Sequence, residues 1–456
     1  MKTQVAIVGG GPSGAASALY LARLGIKSVI IEREAFPRYH IGESMTGEAG
    51  GQLRGLGLEQ QMMKAGHVVK HGVSVWGGNG RNQWFVPVMQ RLDDGTLRNQ
   101  VTWQVRRSEF DKMMLDAAMA AGATRIDGRA MQPIIGDDGA VRGTNVLMRD
   151  GGKQEILSEV LLDCSGQATW LANRGVTGPK YLGAYDKQIA IFSQVTGLER
   201  DPPGSTMRDK NPGNTLIFVK DKYHWAWVIP IDDQVTSVGV VTPSRYFLDK
   251  RESKRDYLAR ELKELNPALA ARLPEVNFVE DVHAIPNYSF QVTKFAGPGY
   301  ICIGDAHRFL DPIFSFGVYL TMREAELAAP VVRDYLNGKG RGDRNPFEDH
   351  MIRIERGADM FEDLIDAFWE NPLAFAVFAH QRHREDIIDV LAGRVFDVEP
   401  SVGVEACRDL LMRKRVYENG GPYSVPIGSR FQPERAAIWN AQSDAVQTTE
   451  TWMRDN

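Results

Sequence analysis

The stretch Gln4-Val5-Ala6-Ile7-Val8-Gly9-Gly10-Gly11-Pro12-Ser13-Gly14 decides how this chain begins to fold. Its first five residues are mostly apolar and include valine and isoleucine, which favours a strand buried in a parallel sheet. Residues 15–24 are rich in Ala and Leu and predict a helix, and residues 26–31 form a second apolar run. The predicted order is therefore strand, glycine loop, helix, strand.

The glycines of this loop fit the pattern G-x-G-x-x-G. Gly9 permits the tight turn, Gly11 lets the backbone approach a pyrophosphate, and Gly14 lets helix and strand pack closely. The amino end of the following helix attracts phosphate, and Glu32 can accept a hydrogen bond from a ribose hydroxyl. The sequence thus predicts a dinucleotide site whose contacts include Gly9, Gly11, Ser13, Gly14, Glu32 and Arg33.

Composition places the chain among ordinary globular proteins. It has 456 residues, of which 43% are hydrophobic and 25% charged, and its net charge of −4 gives no reason to expect nucleic-acid binding. The three cysteines are too few and too far apart for a disulfide framework or a zinc site. No apolar run is long enough to span a membrane. We therefore expect a cytoplasmic protein without membrane or metal partners.

Further motifs indicate which dinucleotide is bound. Gly304-Asp305 follows a turn and a strand, Asp163 begins an Asp-x-x-Gly pattern, Arg107 opens Arg-Ser-Glu-Phe-Asp, and Ser44 ends Gly-Glu-Ser. Together they resemble the fingerprints of the flavoprotein monooxygenase superfamily. Any one Asp or Arg could instead be a helix cap or a surface pair. The ordered set implies FAD rather than NAD, with Ser44, Arg107, Asp163, Gly304 and Asp305 near it.

Two motifs point to the reaction. Residues 225–230 read Trp225-Ala226-Trp227-Val228-Ile229-Pro230, and residues 309–317 fit Phe-x-x-Pro-x-x-Ser-x-Gly. Both are typical of flavin-dependent halogenases of the phenol, pyrrole and alkyl branches, which this chain resembles. The resemblance implies that Pro312 and Gly317 lie near the flavin and that Ser315, Phe316 and Gly317 hold halide. The alternatives are that the two indoles only fill a core and that the loop only seats the flavin ring.

A halogenase of this kind also needs a lysine that receives hypohalous acid, and Lys70 has the matching surroundings in Val-Val-Lys-His-Gly-Val-Ser-Val-Trp-Gly. Burial lowers the pKa of a lysine and makes the neutral amine accessible. Lysine is usually a surface residue, which is the alternative here. The catalytic residues that we predict are Lys70, Trp225 and Trp227.

One departure concerns the substrate. Tryptophan halogenases have Glu-Ser-Thr-Gly where this chain has Phe314-Ser315-Phe316-Gly317, so free tryptophan is not expected. An already activated phenol or pyrrole needs less help from a carboxylate. The base that would deprotonate a phenol is not identified, although His71, His224 and His307 lie in or beside the motifs.

The predicted fold is α/β, with a Rossmann-type FAD-binding domain, an inserted β-sheet substrate region and a mostly helical C-terminal region. The FAD-binding domain is discontinuous, and the division is 1–180 with 275–330, then 181–274, then 331–456. Residues 419–456 are rich in Gly, Pro and polar residues and are expected to lie loosely over the surface.

The resemblance implies a two-component enzyme that takes reduced FAD from a separate flavin reductase. Oxygen would give a flavin C4a-hydroperoxide, which would oxidise chloride, bromide or iodide to hypohalous acid. The substrate is expected to be a small electron-rich aromatic, free or tethered to a carrier protein, and the sequence leaves a homo-oligomer open. The rivals are a single-component aromatic hydroxylase or reductase of the same superfamily, and a flavoprotein that serves only as a binding module.

Overall fold

The structure is a computed structural model that describes residues 1–81, 83–182, 188–202, 211–286 and 288–419, with side chains described as far as residue 412. The loose tail predicted from residue 419 onward therefore lies outside the described residues, apart from Asn419, which ends a helix. Residues 420–456 of the predicted helical C-terminal region also lie outside them.

The strands of the described residues are β1 Lys2–Val8, β2 Ser28–Glu32, β3 Val68–Lys70, β4 Gly72–Trp76, β5 Gln83–Pro87, β6 Met89–Arg91, β7 Leu97–Asn99, β8 Thr102–Gln104, β9 Thr124–Ile135, β10 Val141–Met148, β11 Lys153–Asp163, β12 Lys180–Leu182, β13 Gln188–Thr196, β14 Thr215–Asp221, β15 His224–Pro230, β16 Thr236–Pro243, β17 Asn277–Phe278, β18 His283–Pro286, β19 Phe290–Val292, β20 Ala296–Gly297, β21 Tyr300–Cys302 and β22 Arg308–Phe309.

The α-helices of the described residues are α1 Pro12–Arg23, α2 Gly47–Gly55, α3 Glu59–Lys64, α4 Arg107–Ala120, α5 Ser244–Lys250, α6 Lys254–Glu264, α7 Pro267–Ala270, α8 Gly317–Leu336, α9 Glu348–Glu370, α10 Pro372–Val377, α11 Arg384–Ala392 and α12 Val402–Asn419. Short 3₁₀ turns span Gly166–Ala168, Ala172–Arg174, Gly304–Ala306 and Pro312–Phe314, and a π turn spans Phe378–Arg382.

The first sheet carries the glycine loop. β1 is parallel to β2 and β11, and β2 and β11 are in turn parallel to β9 and β21. The far ends of β9 and β11 leave this parallel layer and pair antiparallel with β10. Burial of β1 and β2 on both faces explains their near-continuous apolar sequence. The predicted Rossmann-type α/β fold is confirmed.

The second sheet has strand order β17-β13-β16-β15-β14-β4-β5, with β18 added to β13. The strands predicted in the middle region are present as β13 to β16, and β4, β5, β17 and β18 join them from outside that region. The region also ends in helices α5 to α7, which the sequence did not predict. The division of the chain into domains stays a prediction.

Alternation along β15 separates two cores. Trp225, Trp227 and Ile229 face the core that is shared with the first sheet, whereas Ala226 and Val228 pack into a smaller core with α6. The whole strand is buried because β14 and β16 flank it and both of its faces are covered. Among the described residues, no helix has the length and apolar character that crossing a membrane would need.

Candidate active site

A cavity of about 760 Å³ lies between the two sheets. Most of the residues predicted to contact the cofactor, the halide or the substrate line it. They are Gly9, Gly11, Ser13, Glu32, Arg33, Ser44, Arg107, Trp225, Trp227, Asp305, Pro312, Ser315, Phe316 and Gly317. Four other predicted residues do not line it, namely Gly14, Lys70, Asp163 and Gly304.

The glycine loop forms one end of this cavity. Gly9 has a φ of +105°, and a Cβ there would lie 2.4 Å from the carbonyl oxygen of Cys164. A Cβ at Gly14 would lie 1.9 Å from the carbonyl oxygen of Gly9, so the close packing expected of Gly14 is present behind the cavity wall. The Glu32 carboxylate accepts a hydrogen bond from the Gly10 amide at 2.6 Å and faces the cavity.

Arg107 is fixed beside the same cavity. Its guanidinium donates to both carboxylate oxygens of Asp111, at 2.7 and 3.0 Å, and to the carbonyl oxygens of Ile41 and Gly42. Asp305 is half-buried nearby, and desolvation raises the pKa of its carboxyl to about 7, although the charge of Arg107 opposes this increase. A neutral Asp305 could donate a hydrogen bond to a sugar or ribityl hydroxyl.

Two predicted cofactor residues support the site from behind. Asp163 accepts hydrogen bonds from the amides of Ser165 at 3.0 Å and Leu171 at 2.7 Å, which fixes the loop after β11. Gly304 has a φ of +66°, and a Cβ there would lie 2.5 Å from the Thr321 hydroxyl oxygen. Both residues shape the backbone next to the cavity without lining it.

The Phe-x-x-Pro-x-x-Ser-x-Gly segment forms a tight turn into α8. Asp311 caps its 3₁₀ turn by accepting from the Ile313 amide at 2.9 Å, and Ser315 has a φ of +62°. The first amide to bond along α8 is that of Leu320, which donates to the Phe316 carbonyl oxygen at 2.8 Å. The amides of Phe316 and Gly317 precede it at the cavity, where a helix amino end attracts an anion.

Trp225 and Trp227 form a wall of the cavity, with ring centroids 5.8 Å apart. The indole N–H of Trp227 donates to the Ser237 hydroxyl at 3.2 Å. Gly239 is opposite Trp227 in the sheet, and a Cβ there would lie 2.2 Å from the indole. The indole therefore lies against the sheet because position 239 has no side chain.

Lys70 lies in a second, small cavity of about 50 Å³. It is 2% exposed, and its Nζ donates to the Ser44 hydroxyl at 2.8 Å and to the Met45 carbonyl oxygen at 2.9 Å. Burial lowers the pKa of the Lys70 amine to about 7. The remaining lining includes Val73, Val75, Trp84, Val86, Pro87, Phe314 and Leu391.

One face of the second sheet is the floor of both cavities. Trp225 and Trp227 on β15 and Ile217 on β14 line the large cavity, and Val75 on β4 and Trp84 on β5 line the small one. Two strand spacings separate β15 from β4, which is roughly 10 Å. Ser44 lines the large cavity and bonds Lys70 in the small one, so it lies in the wall between them.

The residues present fit bound FAD. The loop at Gly9 and Gly11 leaves no side chain where a pyrophosphate would approach, and Glu32 faces the cavity beyond it. The indole N–H of Trp225 is buried at the cavity and has no hydrogen-bond acceptor among the described residues. Such a donor is costly to leave unpaired, which indicates that a ligand or water completes it.

The three candidate histidines do not meet at the site. His307 contacts Glu324 at 3.3 Å and Glu355 at 2.9 Å; burial alone would lower its pKa, but these carboxylates outweigh burial and raise it to about 9. His224 contacts Glu261 at 3.1 Å, on the far side of the sheet. Among these histidines and His71, none lines either cavity.

Sequence reasoning missed three residues that line the large cavity. Arg38 lies 3.1 Å from Asp111, which it shares with Arg107. Burial raises the pKa of Asp311 and of Glu43 to about 7 each. Glu43 was visible in the Gly-Glu-Ser motif and Asp311 beside the proline of the Phe-x-x-Pro-x-x-Ser-x-Gly segment, whereas Arg38 lies in a stretch without a recognisable pattern.

Fold and site together define an FAD-dependent oxidoreductase, and residues 2–344 match the model of an FAD binding domain. A relative named 1H-pyrrole-2-carbonyl-[peptidyl-carrier protein] brominase, from Pseudoalteromonas luteoviolacea, is 34% identical over 87% of this chain and 93% of its own length. The chain therefore belongs to the flavin-dependent halogenases. The corresponding chlorinase from Pseudomonas fluorescens is 27% identical over 89% of this chain and 92% of its own.

The solved structure of the flavin-dependent brominase Bmp2 matches 92% of this chain and 100% of its own, with a TM-score of 0.83 and 33% identity. The predicted resemblance to non-tryptophan flavin-dependent halogenases is confirmed, as are the dependence on FAD and the use of halide. The roles of the individual site residues stay predictions.

Proposed function

We propose that this enzyme halogenates a pyrrole-type ring tethered to a carrier protein, with Lys70 as the residue that receives hypohalous acid. The observation that carries the proposal is the division of the site into two cavities that share one sheet face. Hypohalous acid can be formed in the large cavity while the aromatic ring of the substrate is bound in the small one. The names of the two pyrrole-specific relatives support the class of substrate.

Reduced FAD, when bound with O₂ in the large cavity, supplies the oxidising power for halide. The protein's own contribution there begins with the amides of Phe316 and Gly317, which would hold the anion at the amino end of α8. The Asp311 cap and the left-handed backbone at Ser315 fix these amides before halide arrives. A preformed anion site loses little free energy to reorganisation during the reaction.

Trp225 and Trp227 would exclude water and organic substrate from the space above the flavin. Both indoles are buried, and together with Phe192, whose ring centroid lies 6.0 Å from that of Trp227, they make an aromatic wall. A substrate that cannot pass this wall cannot be hydroxylated in the large cavity. The wall therefore favours halide as the species that is oxidised.

Lys70 would act at the far end of the shared floor. Its amine, held by Ser44 and Met45, accepts hypohalous acid by hydrogen bonding and presents the halogen to the ring. The ring then forms a carbon–halogen bond as the halogen–oxygen bond breaks, the ring proton leaves, and water is released. Because burial lowers the pKa of Lys70 to about 7, a large fraction of the amine is neutral at physiological pH.

The small cavity suits an uncharged flat ring. Trp84, Val86, Phe314 and Leu391 give it an apolar lining in which Lys70 is the titratable group. An apolar pocket of this size favours a small heteroaromatic over a zwitterionic amino acid, which would lose hydration without gaining partners. We further propose a separate flavin reductase as the electron donor; cytoplasmic location and oligomeric state stay predictions.

The test uses the full-length enzyme with FAD, a separate flavin reductase, NADH, O₂ and bromide or chloride. Pyrrole-2-carbonyl on a carrier protein, free pyrrole-2-carboxylate and a phenol are offered in parallel, and products are followed by mass spectrometry. We expect halogen isotope patterns on the carrier-bound ring, and none with Lys70→Met although FAD still binds. Halogenation of the free ring alone would contradict tethering, and oxygen insertion without halogen would favour the hydroxylase alternative.

A further inference from the structure

The segment Gly213-Asn214-Thr215 fixes the strand that carries Lys70. The side-chain oxygen of Asn214 accepts from the amides of His71 at 3.0 Å and Gly72 at 2.8 Å, directly after Lys70. A Cβ at Gly213 would lie 2.1 Å from the carbonyl oxygen of Val69, directly before Lys70. The backbone on both sides of the lysine is thus set by this one segment.

The same segment reaches the amine of Lys70 through side chains. The Nε2 of Gln104 donates to the Thr215 hydroxyl at 2.8 Å and to the Gly213 carbonyl oxygen at 3.1 Å. The Thr215 and Ser44 hydroxyl oxygens are 2.9 Å apart, and Ser44 lies 2.8 Å from the Lys70 amine. Gln104, Thr215, Ser44 and Lys70 therefore form one continuous buried chain.

The chain has a direction, which Gln104 sets. An amide nitrogen only donates, so the Thr215 oxygen accepts from Gln104 and its own hydrogen needs another acceptor. Within the described residues that acceptor is the Ser44 oxygen. With one lone pair already engaged by Thr215, Ser44 is a weaker acceptor for an ammonium, so the chain favours the neutral amine, whose N–H bonds to Ser44 and Met45 leave its lone pair free.

We propose that Gln104 and Thr215 are positioning residues that act through Ser44 to orient the Lys70 amine and keep it neutral and ready to receive hypohalous acid. The inference rests on the proposed role of Lys70. Gln104 lines neither cavity, so it acts on the reaction through its contacts with Thr215, Gly213 and the backbone of Ser44.

Charged neighbours do not explain the state of Lys70. Glu43, His71 and, on α2, Glu48 and Arg54 are the charged or titratable groups nearest in the chain to Lys70 and its partners, and burial alone accounts for the lowered pKa of Lys70. Glu48 is paired with Arg394 at 2.6 Å. The side chains from β8 and β14 that reach Lys70 through Ser44 are the uncharged Gln104 and Thr215. Their hydrogen bonds are therefore the polar interactions that can change the protonation of the amine.

The decisive measurement is an NMR titration of full-length enzyme with bound oxidised FAD and ¹³Cε-labelled lysine. The Lys70 signal is assigned by its loss in Lys70→Met. We expect it to titrate near pH 7 and to move up by about 0.5–1 pH unit in Gln104→Leu, because the loss of one directing hydrogen bond leaves Ser44 free to accept from the ammonium. The acidic limb of the pH–rate profile for halogenation should shift by the same amount.

Two further variants keep the test independent of folding defects in Gln104→Leu. Thr215→Val should give the same upward shift, and Thr215→Ser, which restores the hydroxyl, should retain the original titration. Thr102→Val is the matched control. Thr102 lies on β8, as Gln104 does, and is paired with Lys70 on the neighbouring strand. It is as buried as Gln104, and its hydroxyl has no partner among the described residues.

An unchanged Lys70 titration in both Gln104→Leu and Thr215→Val would overturn the proposed chain. An equal shift in Thr102→Val would assign the effect to general disturbance of β8 and would also overturn it. If Lys70→Met keeps full halogenation while the NMR shifts occur, the positioning chain stands and the proposed role of Lys70 falls. The two failures are therefore distinguishable.

Discussion

The ring centroid of Phe316, in the predicted halide loop of residues 309–317, lies 4.0 Å from that of Phe361 on α9. Phe316 is almost fully buried, so its backbone amide is placed by a side chain packed into the helical layer. This contact ties the geometry of the predicted anion site to α9, which also holds the turn through a hydrogen bond from the Trp369 indole N–H to Asp311 at 3.2 Å.

Phe361→Leu should raise the KM for halide several-fold, because a looser Phe316 lets the two amides move. The substitution should also lower the free energy of unfolding by about 1–3 kcal/mol. Steady-state halogenation at varied bromide concentration measures the first effect, and denaturant unfolding the second. Phe347→Leu is the control: Phe347 is equally buried but packs against Tyr335 instead. An equal rise in KM for both variants would refute the link to the halide loop.

Trp225→Phe and Trp227→Phe should loosen the aromatic wall. We expect more hydrogen peroxide released per NADH consumed and fewer halogenated products per turnover, since water and substrate gain access to the large cavity. Trp76→Phe provides the comparison, because Trp76 is buried in the other core, stacked 4.7 Å from Phe218. Unchanged coupling in both wall variants would make the indoles ordinary core residues.

The rate of halogenation should rise with pH through about 7. Lys70 has a pKa lowered from 10.5 to about 7 by burial, and only the neutral amine can receive hypohalous acid. The unfolded chain binds this proton between about pH 7 and 10.5 while the folded chain does not, so Lys70 destabilises the folded state most below about pH 7, and this penalty disappears as the pH rises to 10.5. Unfolding of wild type and Lys70→Met at several pH values should show a difference that narrows as pH rises.

His307 should give the opposite dependence. Its pKa is raised to about 9, because Glu324 and Glu355 outweigh the effect of burial. Its stabilising contribution is therefore complete below about 6.5 and is lost as pH rises through 9. The excess stability of wild type over His307→Gln, measured by urea unfolding, should fall between pH 7 and 10. A constant difference would mean that packing on Phe295, 3.6 Å away, is what matters.

The sequence predicted those parts of the fold that depend on residues close together in the chain. The glycine loop between β1 and α1 and the alternation along β15 follow from sequence spacing alone. Lys70 was identifiable only through its surrounding motif, because residue type alone favours the surface. The chain from Gln104 to Thr215 joins residues 111 positions apart, so only the register of the sheets could place them together. Asp163 and Gly304 were predicted at the cofactor and do not line the large cavity, because a motif marks a backbone shape as well as a contact.

The Trp-x-Trp-x-Ile-Pro motif depends on a residue outside it, because the Trp227 indole occupies the space that a side chain at Gly239 would fill. The indole of Trp227 can lie flat only because its cross-strand neighbour, twelve positions later (239 − 227), has no side chain. A chain that carries the two tryptophans but a larger residue at the paired position would have to turn the second indole into the flavin cavity. Genome searches that require a glycine at the position paired with Trp227, in addition to the two tryptophans, could therefore separate enzymes with an open cavity from those in which the second indole blocks it.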